Sequence, residues 1–76
     1  MINEHDIVVL TQDLPADQLT VGDVGTVVQV YQGGAGYEVE FMTLAGRTVA
    51  VATVRANQVR AINPRDLVHV REMQTA

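Results

Sequence analysis

GDVGTVVQVYQGGAGYEVEFM, residues 22–42, holds two strand patterns separated by a cluster of glycines, and how it is read decides the fold. In its second half, YEVEFM (37–42), Tyr37, Val39 and Phe41 face one way and Glu38 and Glu40 the other. That is the period-two pattern of a strand with one buried face, and Phe41, the only phenylalanine, belongs to the core. In the first half, DVGTVVQVY (23–31), Gly25 interrupts a valine-rich run, which predicts a bulge or bend of the kind that lets a small sheet curl. QGGAG (32–36) reads as the hairpin connection between them.

The pattern continues on both sides. DIVVLT (6–11) is a short strand, apolar on both faces. QDLPADQLTVG (12–22) is an organised loop, with Leu14, Leu19 and Val21 as apolar anchors. Beyond Met42, TLAGR (43–47) is a hairpin with Gly46 at a positive-φ position, followed by the strand TVAVATV (48–54). RANQ (55–58) fits one 3₁₀ turn, and VRAI (59–62) a fifth strand. The expected fold is all-β, a small five-stranded barrel over residues 1–62.

Residues 63–76 admit two readings. Asn63 as N-cap, Pro64 at the first helical position and Asp66 at the third start a helix that aligns Leu67, Val70 and Met73. Alternatively, Val68 and Val70 alternate with polar neighbours as a sixth strand would. The capping residues tilt the reading toward the helix. In either form the segment is expected to pack on the barrel or on a second subunit.

Seventy-six residues make one domain, and a chain of this length buries only about 60–65 % of its unfolded surface. The absence of cysteine excludes disulfides, thiolate metal sites and a cysteine nucleophile. No apolar run approaches the roughly 18 residues of a membrane span, and MINEHD carries acid where a signal peptide carries base, so a cytoplasmic location is expected. All five basic residues are arginines, and nine acids bring the formal charge to −4. This balance disfavours a surface that tracks phosphates.

Five strands, a long first loop, a bent central strand and a short turn before the last strand resemble the SH3-like barrel layout. Gly22, Asp23, Gly25, Val27 and Val30 resemble the glycine-punctuated half of the KOW motif of ribosomal and transcription-factor barrels. Residues 6–60 as a whole are similar to a family of small bacterial proteins known only as a domain of unknown function, a likeness that implies a fold and no activity. DVGTVV and YEVEF are also similar to the SH3-like barrels that dock on photosystem I and on ferredoxin–thioredoxin reductase, which are assembly modules without chemistry of their own.

No residue set reads as catalytic, cofactor-binding or metal-binding. His5 and His69 are far apart, and the chain has neither serine nor cysteine to serve as a nucleophile. GGAG (33–36) opens onto a strand, whereas phosphate-cradling loops open onto a helix N-terminus. Glu38 and Glu40, about 7 Å apart on one strand face, read as a charged exterior. The expectation is a noncatalytic binding or assembly module without cofactor, self-associating as a homodimer and docking a protein partner. Val8, Leu10, Ala50, Ala52, Val54, Leu67, Val70 and Met73 are the candidate interface, because two-sided apolar strands need a second cover. Asp13, Asp17, Asp23, Glu38 and Glu40 form a candidate acidic rim for a basic partner. Two alternatives stand beside it. One is a KOW-like nucleic-acid-binding barrel using Arg47, Arg55 and Arg60; the other is an acidic immunity or antitoxin-type inhibitor.

Overall fold

The computed structural model describes residues 1–73. Five antiparallel strands, β1 (Ile7–Leu10), β2 (Val24–Tyr31), β3 (Gly36–Met42), β4 (Thr48–Arg55) and β5 (Val59–Ala61), form one sheet in the order β4-β3-β2-β1-β5. Single 3₁₀ turns at Pro15–Asp17 and Ala56–Gln58 are the only helical elements among the described residues, and none is long and apolar enough to cross a membrane.

With no helix to cover it, the apolar face of this sheet is buried only if the sheet curls over it. Cross-strand pairing gathers that face: Val27 opposes Val39, which opposes Ala52, and Phe41 opposes Ala50. Val8, Val27 and Val39, on three adjacent strands, are fully shielded from solvent, and Leu10, Leu19, Tyr37, Phe41, Val54 and Val59 complete the core.

Two irregularities bend the sheet. The β2–β3 register shifts between Val27 and Gln29, so the bulge falls at Val28 and not at Gly25 as the sequence predicted. Gly25 answers to a different constraint: a Cβ there would sit 2.6 Å from Val39 Cγ1 and 2.9 Å from the Glu40 carbonyl oxygen. The glycine lets β2 close on β3, and the extra residue three positions later turns the strand. A second shift, between Phe41 and Met42, precedes the β3–β4 hairpin, where Gly46 adopts the expected positive φ of 86°.

The expected barrel does not close. β4 and β5 remain the two edges of the sheet, because β5 is only three residues long and pairs with β1 alone. The 3₁₀ turn at Ala56–Gln58 links them, with buried Gln58 Oε1 accepting the Arg55 N–H at 2.7 Å. In the first loop, Leu14 and Leu19 form a two-residue bridge and Leu19 enters the core, whereas Val21, expected as a third anchor, is exposed.

Residues 63–73 form neither the helix nor the strand expected of them; positions 74–76 lie outside the described residues. The capping residues act, but only over one turn. Asn63 Oδ1 accepts the Arg65 N–H at 2.9 Å, Asp66 Oδ2 accepts the Asn63 N–H at 2.8 Å, and the Asp66 N–H donates to the Asn63 carbonyl. Past that turn the sequence LVHV is poor in helix formers, and so short a helix is marginal without a packed face.

Candidate functional site

The outer face of the sheet follows from the same pairing register. Ile7, Thr26, Glu40 and Val51 lie in one row across four strands, and Gln29, Glu38 and Thr53 in the next. Ile7, Val24, Val28 and Val51 are each about half exposed here. The two glutamates at the centre are built into the sheet: Thr48 Oγ1 donates to Glu40 Oε2 at 2.6 Å, and Thr53 and Tyr31 donate to Glu38 Oε1.

The apolar interface expected from the sequence is therefore largely corrected. Val8, Leu10, Ala52 and Val54 face inward and are buried in the core, and Ala50 packs half-buried against it. Of the opposite parity, Ile7, Val24, Val28 and Val51 reach solvent, whereas Val9, paired with Val24, is buried. Where a strand is apolar on both faces, alternation does not reveal which set turns inward. Of the tail residues in that set, Leu67 and Val70 are exposed and Met73 is half-buried.

The expected acidic rim is divided between two elements. Glu38 and Glu40 lie on β3, whereas Asp13, Asp17 and Asp23 belong to the first loop, where two of them hold backbone. Asp13 Oδ1 accepts the Val21 N–H at 2.9 Å and Asp23 Oδ2 the Thr20 N–H at 2.8 Å. Of the arginines proposed for nucleic acid, Arg60 is engaged by Asp66 through two hydrogen bonds, and of the two tyrosines Tyr37 is in the core. Hence Tyr37 offers no stacking platform.

A second surface was not anticipated. The start of β2, the end of β3 and the β3–β4 hairpin border an apolar groove of about 470 Å³, and the tail from Val68 to Met73 runs along it as its outer wall. Leu19, Phe41, Leu44 and Val49 line the sheet side. Arg71 holds the tail, its Nε donating to Asp23 Oδ1 at 2.8 Å, its Nη2 to Asp23 Oδ2 and, at 3.2 Å, to the Gln18 carbonyl. Burial alone would raise the Asp23 pKa, but the hydrogen bonds from Arg71 and the Thr20 N–H outweigh it and hold the carboxyl below its ordinary range. At the root of the tail, hydrogen bonds from the Arg60 guanidinium and then from the Asn63 N–H bring Asp66 down to about 2. The sequence contained one sign of this arrangement, the Asn63-Pro64-Arg65-Asp66 turn, but nothing in it paired Arg71 with Asp23, 48 residues away.

Among the described residues, no group of three or more His, Cys, Asp or Glu side chains could hold a metal ion. Neither the curated proteins nor the solved structures contain a match to the chain. A family match covers residues 4–61, all five strands from the approach to β1 to the last residue of β5, and leaves the tail outside. By that match the chain belongs to the DUF4926 family, a domain of unknown function.

Proposed function

We propose that this chain is a noncatalytic binding module that docks a basic protein partner on the outer face of its sheet. The observation carrying this reading is the half-exposed set Ile7, Val24, Val28 and Val51 on the same outer face as Glu38 and Glu40, where Val51 pairs directly with Glu40. An apolar face of this kind, centred on two carboxylates, suits a partner with apolar side chains and arginine or lysine among them. The strand order β4-β3-β2-β1-β5, with a 3₁₀ turn leading into the last strand, supports the SH3-like layout that the sequence resembles. Each glutamate accepts a hydroxyl from β4, which favours a structural acceptor over a free acid–base group. Asp13 and Asp23 are committed to the chain's own backbone, so the inhibitor-type reading loses two of its five acids.

The test is capture of partners from the native host by the tagged chain and by an Ile7→Arg/Val51→Arg variant, whose changes lie on the exposed face. One dominant basic partner, retained by the wild type and lost by the variant, is the expected result. Equal capture by both would overturn the reading, and steeply salt-dependent binding of RNA in a parallel titration would favour the nucleic-acid alternative.

A further inference from the structure

We propose that the tail segment 67–73 is exchanged between two copies of this chain, each tail closing the groove of the other. This deepens the binding-module reading by naming a second copy as an occupant, at a groove that shares Val24 with the outer sheet face but not Ile7 or Val51.

Charge complementarity supports it first. Within one chain the tail is seated by Arg71 on Asp23 and on the Gln18 carbonyl. A second copy presents the same acceptors in the same geometry, so reciprocal exchange under two-fold symmetry keeps all of these bonds. The fit of the apolar residues supports it next. In the single chain Val68 and Val70 remain 91 and 72 % exposed although they border an apolar groove, and Leu67 beside them is 95 % exposed. Tails crossing at a two-fold axis cover these side chains against each other, a contact the single chain lacks.

The hinge is short as well. The one turn at Asn63–Asp66 connects the tail to β5, and the described tail residues join no strand ladder, so exchange moves no core residue. Closure within one chain has the advantage of a tether, equivalent to a local concentration in the millimolar range. Exchange therefore grows with protein concentration and depends on the apolar contact made only by the pair.

Full-length Asp23→Arg and Arg71→Asp chains test this by charge reversal. Each alone sets like charges together, within a chain and in a homodimer. Mixed, they restore both pairs only across two chains. Light scattering and native mass spectrometry of the wild type are expected to show a concentration-dependent dimer, weakened by about tenfold or more in each variant and recovered as a mixed dimer when the two are combined. A mixture that stays monomeric, or variants that each dimerise as well as the wild type, would overturn the proposal. Because Asp23 also accepts the Thr20 N–H, the wild type supplies an independent measurement. In a mixture of isotope-labelled and unlabelled chains, nuclear Overhauser contacts between the Arg71 side chain and Gln18 must run between copies; contacts confined to one chain would refute the exchange. The Ile7→Arg/Val51→Arg variant is expected to dimerise normally, which separates failure here from failure of the outer-face reading.

Discussion

The first loop and the C-terminal tail are both irregular, both punctuated by proline and aspartate, and both fixed by aspartates that accept backbone N–H groups. They differ in what anchors them. The loop sends Leu19 into the core and closes on itself through the Leu14–Leu19 bridge, whereas the tail leaves Leu67, Val68 and Val70 in solvent and is held by the pairs Arg60–Asp66 and Arg71–Asp23. Burial of a leucine outweighs an exposed ion pair several-fold. The loop is therefore held by the core, and the tail mainly by its two ion pairs.

The strongest way to break this comparison is to truncate one leucine in each segment. Leu19→Ala is expected to cost about 2–4 kcal/mol in urea unfolding, since it opens a cavity in a small core, and Leu67→Ala to change the stability of the single chain, measured at high dilution, by less than about 0.5 kcal/mol. Similar losses at both positions would mean that the tail is packed as firmly as the loop. A smaller effect is expected from Asp13→Ala, which removes the acceptor of the Val21 N–H; it should cost about 1 kcal/mol and speed amide exchange in the first loop while leaving the tail unchanged.

Acid sharpens the contrast with the least effect on the fold. Asp66 titrates near 2 in the folded chain and near 4 when unfolded, so its contribution is fully present above about pH 4 and disappears as pH falls through 2. The lowered pKa of Asp23 acts in the same direction. Between pH 4 and pH 2, nuclear magnetic resonance is expected to show shifts in the tail and at Arg60 and Arg71 before those of Leu19 or Val39 change. Simultaneous loss of loop and tail would show that they form one cooperative unit.

Legibility of the sequence followed the range of the interactions involved. The strict alternation of Tyr37 to Phe41 located the third strand and its inner face, and the glycine cluster at 33–36 located a hairpin, because both depend on neighbours along the chain. Gly25 was recognised as special but for a different reason from the one observed, since its crowding by Val39 and Glu40 arises from strand pairing. In IVVL and TVAVATV every position is apolar or small enough for either face, so the sequence placed Val8, Leu10, Ala52 and Val54 on the outside, and only the register turned them inward. The Asn63-Pro64 start of a helix was legible, but its failure to continue was not, because a cap initiates a helix that only a packed face sustains.

The sequence by itself determined an all-β domain of five short strands, their approximate limits, the turns between them and the exclusion of disulfide and cysteine chemistry. These are consequences of local conformational preference and residue inventory. Only the tertiary structure decided that the sheet stays open, that Val8, Leu10, Ala52 and Val54 turn inward while Ile7, Val24, Val28 and Val51 turn outward, and that Arg71 meets Asp23 across an apolar groove. Each of those depends on pairing register and on contacts between residues distant in the chain, and a one-residue slip would reverse the faces without altering the local pattern.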